Sequence, residues 1–89
     1  ILFMNINDLI AIVKKKLQSS IVIEKIEIED KSFLHKNHSS HQVGKFHLKL
    51  KINSLELKKL NRIESNKIVY KVLNQELKEY IHSLQILIS

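Results

Sequence analysis

Apolar and polar residues recur with two different periods along this chain, and the change of period predicts where helices and strands lie. Apolar residues spaced three and four apart indicate a first helix, which Asn5 or Asn7 can cap and which ends at Ser19–Ser20. Lys14–Lys16 follow near its C-terminus, where positive charge suits the helix dipole. Its apolar face comprises Ile6, Leu9, Ile10, Val13 and Leu17.

Two stretches of strand-like sequence come next. Ile21–Asp30 is rich in β-branched residues, and Lys45–Asn53 alternates strictly between apolar and polar side chains. This half-exposed pattern is typical of antiparallel pairing, in which acids of the first strand would lie beside lysines of the second. On the second strand the apolar face comprises Phe46, Leu48, Leu50 and Ile52. Its opposite face comprises Lys45, His47, Lys49 and Lys51.

The last stretch, Ser65–Ser89, begins as a helix and ends as a strand. Helical spacing from Val69 to Ile81 predicts a long helix with Ser65 as its N-cap, and a short helix over Leu55–Asn61, capped by Ser54, precedes it. After Ile81 the apolar residues recur at every second position, which is the period of a strand. His82 has the same parity as the apolar residues of this strand, so we expect its ring to pack at the sheet edge with one nitrogen reachable. Those apolar residues are Leu84, Ile86 and Ile88.

The order of these elements is αββααβ, which predicts an α+β fold. Two strands joined by a loop should pair antiparallel, whereas the third strand, reached through helices, should run parallel to the second. The result is a three-stranded mixed sheet with helices on one face. A chain of 89 residues is expected to form one domain, spanning residues 1–89.

The formal net charge is +6, and it is concentrated in the second half. Residues 45–89 carry nine basic residues against four acids, a balance of +5. A basic half is one sign of nucleic-acid binding, but Lys, Ile and Asn also share A/T-rich codons, so we favour genome composition as the explanation of the charge. The candidate nucleic-acid contacts are Lys58, Lys59, Arg62, Lys67 and Lys71.

The chain has no cysteine, and this excludes several chemistries. It can form no disulfide, offers no thiolate nucleophile and cannot hold an iron–sulfur cluster by itself. Absence of disulfides fits a cytoplasmic protein. No apolar run approaches the ~20 residues that span a bilayer, so we expect no membrane partner. Without a nucleotide-binding or metalloprotease motif, we also expect no enzyme.

Imidazoles are the chain's best candidate ligands. His35, His38 and His41 form an H-x-x-H-x-x-H pattern in the polar loop of residues 31–44. Neutral imidazole binds zinc, copper and iron well, yet a polar loop of this kind is equally explained as solvated polypeptide. His82 is also explained without a ligand role, as a core-edge histidine bonded to backbone.

A D-x-S-x-x-H segment at residues 30–35, followed by Ile81-His82-Ser83-Leu84 after the predicted long helix, resembles the pattern of the BolA-like family, and the resemblance covers roughly residues 7–89. In that family an invariant histidine occupies the place of His82, and the order of elements implies a class II KH-like fold. The upstream D-x-S-x-x-H segment matches Asp30, Ser32 and His35. The C-terminal matches are Ile68-Val69-Tyr70, Leu73, Glu76-Leu77 and Ile81-His82-Ser83-Leu84.

The resemblance implies a partner and a cofactor. BolA-like proteins pair with monothiol glutaredoxins and share a [2Fe–2S] cluster, for which the partner side supplies its cysteine and a glutathione thiolate. The BolA side supplies the invariant histidine, here His82, and a second ligand from the loop, here His35 with His41 as the next choice. His38 matches neither position. We expect a protein that is monomeric in isolation and serves cluster trafficking, assembly or iron regulation.

Two features weigh against the alternative role, a nucleic-acid-binding transcriptional regulator, and one further departure concerns the histidines. KH domains clamp nucleic acid with a G-x-x-G loop, which a chain with the single glycine Gly44 cannot form. Many relatives carry a basic triplet where this chain has Ser65-Asn66-Lys67. Any DNA binding should therefore be weak and salt-dependent. A histidine that some relatives place before the phenylalanine of the second strand is also missing, since Lys45-Phe46 stand there with His47 after them.

Overall fold

The computed structural model describes residues 4–32 and 45–89. In the sheet, β2 is central, β1 pairs with it antiparallel and β3 pairs with it parallel. This arrangement confirms the predicted α+β fold with a three-stranded mixed sheet, and it is consistent with a class II KH-like fold. The elements are α1 (Ile6–Ser20), β1 (Lys25–Asp30), β2 (Phe46–Asn53), α2 (Leu55–Lys58), α3 (Arg62–Val72), α4 (Asn74–Glu79) and β3 (Ile81–Ile88).

The hydrophobic core lies between one face of the sheet and the helices. Alternate residues of each strand point to this face, where they meet the apolar stripes of α1 and α3. Fully burying a Leu, Ile or Val side chain contributes about 1.5–3 kcal/mol relative to leaving it exposed, so this set dominates the stability of the fold. Its members are Leu9, Val13, Leu17, Ile21, Ile26, Leu48, Leu50, Ile52, Leu57, Val69, Leu73 and Ile81.

The opposite face of the sheet carries paired charges. Glu29 of β1 lies diagonally across from Lys51 of β2, with 3.0 Å between carboxylate and ammonium, and Lys31 approaches its other oxygen at 3.2 Å. The hydrogen bond from Lys51, followed by that from Lys31, lowers the pKa of Glu29, and the same bond raises the pKa of Lys51. The predicted pairing of strand acids with strand lysines is confirmed, which gives these lysines a structural role.

Two predicted helix caps are confirmed. The Asn5 side chain accepts a hydrogen bond from the Asp8 N–H at 2.9 Å, which satisfies one free donor of α1. Ser54 accepts from the Leu57 N–H at 3.2 Å and donates to the Val22 carbonyl at 2.7 Å. Ser54 therefore caps α2 and also ties it to the segment between α1 and β1.

The predicted N-cap at Ser65 is wrong. The N-cap of α3 lies four residues earlier, at Asn61, whose side chain accepts from the Glu64 N–H at 2.8 Å, and the helix begins at Arg62. Asn61 is as good a cap as serine and occurs first, so the helix starts there. Ser65 is buried inside the helix and donates its hydroxyl to the Arg62 carbonyl at 3.1 Å.

Other boundaries differ in smaller ways. The first strand begins at Lys25 rather than Ile21, the second at Phe46, and the short helix ends at Lys58. The predicted long helix is divided at Leu73, whose φ of −98° and ψ of 18° leave the α-helical region. Asn74 follows at once, and its side chain competes with the backbone for helix hydrogen bonds.

The basic run of α1 does not act on the helix dipole as predicted, because the last turn of α1 contains no basic residue. Lys16 instead forms an ion pair with Glu76 of α4 at 2.5 Å.

Within residues 4–32 and 45–89, no helix is both long enough and apolar enough to cross a membrane.

Candidate functional site

The candidate site lies where α4 passes the chain to β3, and His82 is the second residue of that strand. Phe46 is paired with Ile81 in the sheet register, but the next residue, His47, is paired with Ser83. His82 is therefore an extra residue in β3, and a bulge of this kind redirects the side chain that it inserts.

The bulge changes which way the strand's first residues face. Ile81 is buried against the core at 2% exposure, whereas His82 is exposed, and the inward alternation resumes at Leu84. His82 shares the parity of Leu84, Ile86 and Ile88, but the extra residue shifts the alternation, so its body is exposed instead of packed at the sheet edge as predicted. The consequence is a histidine ring directed to solvent at one end of the sheet.

A second histidine, His47, lies beside it and was not predicted as part of the site. The alternation of β2 predicts an exposed ring in the lysine row, yet His47 is only 6% exposed. Its ring meets the ring of His82 edge to face, with centroids 4.9 Å apart and planes inclined at 63°. Its Nδ1 lies 2.6 Å from the Ser83 hydroxyl oxygen. The structure therefore assembles an imidazole pair from the second residues of two parallel strands.

The backbone of His47 is held by the end of β1. Its N–H donates to the Ser32 hydroxyl at 3.0 Å, and its carbonyl accepts from the Lys31 N–H at 2.7 Å. Asp30 in turn accepts from the Ser32 N–H at 2.9 Å. The aspartate and serine of the D-x-S-x-x-H segment thus build the turn that supports His47.

The described residues that flank residues 33–44 both belong to this region. Ser32 contacts His47, and Lys45 reaches the Lys78 carbonyl at 3.3 Å with its ammonium group. The next residue, Phe46, donates its N–H to the Tyr80 carbonyl at 2.8 Å. The described residues on either side of positions 33–44 therefore lie at the end of the sheet where β2 and β3 begin. His35, His38, His41 and Gly44 lie outside the described residues, so their roles stay predictions.

The donor set of this site limits what it can bind. Residues 4–32 and 45–89 bring together no group of three or more His, Cys, Asp or Glu side chains suited to a metal ion. One exposed imidazole with a second ring beside it can complete a coordination sphere that another molecule begins. The whole sequence lacks cysteine, so any thiolate in that sphere comes from elsewhere.

A signal for the imidazole pair was present in the sequence. Strands that pair in parallel begin at the same end of the sheet. His47 is the second residue of β2 and His82 the second residue of β3, so the predicted parallel pairing already placed them side by side. The bulge that exposes one ring and the burial of the other had no comparable signal.

The basic residues of the alternative role lie on α2, on α3 and in the turn between them. A cleft of about 360 Å³ runs between the α2–α3 turn and the C-terminal half of β3, and Lys58 and Arg62 line it. At about 100° per residue, Lys67 and Lys71 lie roughly 140° and 180° around α3 from Arg62. The five exposed basic residues therefore do not share one continuous stripe. They are Lys58, Lys59, Arg62, Lys67 and Lys71.

Comparisons with known proteins agree with this architecture. Residues 17–89 match a family model described as BolA-like protein. A relative from Haemophilus influenzae, named DNA-binding transcriptional regulator BolA, is 30% identical over 73 residues, which is 82% of this chain and 68% of its own.

Solved structures give the same result. The BolA domain of SufE1 and BolA1, both from Arabidopsis thaliana, superpose with TM-scores of 0.76 and 0.74. Each is 26% identical, and each match covers 89% of this chain and 87% of the other. A bol-like protein from Babesia bovis, at 15% identity and a TM-score of 0.68 over 88% of this chain and 79% of its own, shares the fold.

Proposed function

This chain belongs to the BolA-like family, and on that premise we propose that it is a non-catalytic partner of a monothiol glutaredoxin, with which it shares a [2Fe–2S] cluster. The role would be cluster trafficking, assembly or iron regulation in the cytoplasm. The observation that carries the proposal is the His82 imidazole, which a bulge directs into solvent at the position of the family's invariant histidine.

The side chains of this protein fit a cluster shared with a partner better than a cluster bound by this chain alone. Iron–sulfur clusters are held mainly by thiolates, and this chain has none, so a partner must supply them. Imidazole ligation on one iron raises the reduction potential relative to ligation by thiolates alone. The contribution of this chain is to hold an imidazole at an open edge where a second protein can reach it.

The second ligand would come from the segment between β1 and β2. We propose His35, which matches the family's D-x-S-x-x-H histidine, with His41 as the next choice. Ser32 bonds the backbone of His47 and Lys45 reaches the Lys78 carbonyl, so the residues that flank the segment lie at the end of the sheet where β3 and His82 begin, and this supports a ligand from that segment. The choice between the two histidines rests on sequence position.

Reconstitution tests this proposal. The protein is mixed with a monothiol glutaredoxin, glutathione, iron and sulfide, and visible absorption and circular dichroism are recorded. We expect a coloured cluster in the mixture and none on the isolated chain, and we expect the spectrum to change in His82→Ala. Gln85→Ala, an exposed substitution three residues further along β3, is the matched control. A stable cluster on the isolated chain, or an unchanged spectrum in folded His82→Ala, would contradict the proposal.

DNA binding is the second candidate function, and the cleft beside Lys58 and Arg62 is the observation that favours it. The curated relative is named a DNA-binding transcriptional regulator. Because Lys67 and Lys71 lie on a different side of α3, we propose only weak, non-specific binding that falls steeply with salt. Gel-shift titrations at increasing salt test this proposal. Comparing Arg62→Gln with Lys71→Gln shows whether DNA binds at the cleft or on the side of α3 that carries Lys71. A sequence-specific footprint that survives ~200 mM salt would make DNA binding the main role.

A further inference from the structure

His47 is a buried polar ring on the face of the sheet that otherwise carries paired charges. Burying an imidazole is costly unless its polar atoms find partners. The bond of 2.6 Å between Nδ1 and the Ser83 hydroxyl provides one. The hydrophobic core lies on the other face of the sheet, so core packing does not explain this ring.

The His47 side chain contacts the bulge of β3. Its hydrogen-bond partner, Ser83, is the residue that follows the inserted His82. The His47 ring also meets the ring of His82 edge to face. Edge-to-face pairs of aromatic rings at this separation are attractive beyond the area they bury. The buried ring therefore touches both the exposed histidine and the residue that fixes the end of the bulge.

We propose that His47 is a positioning residue, which holds the His82 imidazole in one orientation before a partner arrives. This inference rests on the proposed function, because the orientation matters only if His82 is a ligand. The Ser83 bond anchors the His47 ring, the ring restricts the exposed imidazole, and the Ser32 and Lys31 bonds fix the backbone beneath it. Preorganisation of this kind lowers the entropic cost of assembling a shared site.

The first measurement uses the isolated protein and needs no cluster. Nuclear magnetic resonance of the histidine rings reports the ring shifts and the χ1 couplings of His82. In His47→Ala we expect the His82 ring signals to move and its couplings to average. His47→Phe keeps a ring and should retain much of the restriction, whereas Ser83→Ala should loosen it. Gln85→Ala is the control, and backbone amide spectra establish that each variant is folded.

The second measurement uses the complex with a monothiol glutaredoxin. Loss of a group that orients a metal ligand typically costs about 10-fold to 100-fold in metal affinity, and we expect a loss in that range for His47→Ala, with a smaller loss for His47→Phe. The EPR spectrum of the reduced cluster should broaden in the same order.

The outcomes separate the two claims. His82 signals that stay in place in His47→Ala, or signals that move while the cluster's stability and EPR spectrum do not change, would overturn the positioning role. A wild-type complex that forms no cluster would overturn the proposed function and the ligand role together, and the ring signals would still decide whether His47 sets the orientation of His82.

Discussion

The ion pair between Lys16 and Glu76 ties α1 to α4, the short helix that leads into His82. Its atoms are 2.5 Å apart, and the Glu76 side chain is 5% exposed against 38% for Lys16. The second carboxylate oxygen of Glu76 is buried and finds no hydrogen-bond partner among the described residues. The buried charge therefore depends on Lys16, and replacing Lys16 with methionine should be costly.

The burial of the two side chains determines how much stability the substitution costs. Breaking a fully buried ion pair by removing one partner costs about 3–5 kcal/mol, whereas exposed pairs contribute about 0.2–1 kcal/mol. Because more than a third of Lys16 is in solvent, we expect Lys16→Met to lower the free energy of unfolding by about 2 kcal/mol, between these limits. For a chain of this length that corresponds to a fall in Tm of about 8–16 °C.

Thermal unfolding followed by far-ultraviolet circular dichroism at neutral pH measures this effect. Lys15→Met is the matched control, since Lys15 is exposed and forms no ion pair within residues 4–32 and 45–89. Adding Glu76→Leu to Lys16→Met should recover most of the loss, because no buried charge is then left unpaired. If Lys16→Met melts together with Lys15→Met, or if the double variant is the least stable, the reasoning is refuted.

Three further predictions concern Ser54, Glu29 and the loop histidines. Ser54→Ala removes the α2 cap and leaves the Val22 carbonyl without its donor, so chemical denaturation should show a loss of about 2 kcal/mol, against little change for exposed Ser19→Ala. The lowered pKa of Glu29 gives a stability contribution that is present above its ordinary value of 4.5 and lost as pH falls below it, so wild-type and Glu29→Gln melting curves should converge in acid. In the reconstituted complex, His35→Ala should change the cluster's circular dichroism and His38→Ala should not; the reverse result would show that the positional match was misleading.

The fold was predictable because its hydrophobic periods are clear. Strict alternation over residues 45–53 defined the central strand, and the spacing of Leu9, Val13 and Leu17 defined the buried face of α1. The helix start at Arg62 was missed because Asn61 and Ser65 are comparable caps, and local preference does not choose between them. The division at Leu73 was missed because its apolar period continues unbroken.

The site was predictable only in part. His82 could be chosen by its position in the family pattern, but its direction could not, because one inserted residue reverses the face on which a strand residue lies. His47 was assigned to the lysine row by alternation, and its burial depends on contacts with Ser83 and His82 that come from a distant part of the chain. Long-range pairing of this kind leaves no local pattern.

The most direct test of the central claim is whether a histidine nitrogen of this chain is bonded to the shared cluster. Pulsed EPR of the reduced complex, prepared with the chain labelled with nitrogen-15 in its histidines, detects such a nitrogen through its coupling to the electron spin. We predict nitrogen-15 couplings in the wild-type complex and the loss of one of them in His82→Ala. A reduced cluster without nitrogen-15 coupling, or couplings identical in His82→Ala, would contradict the claim.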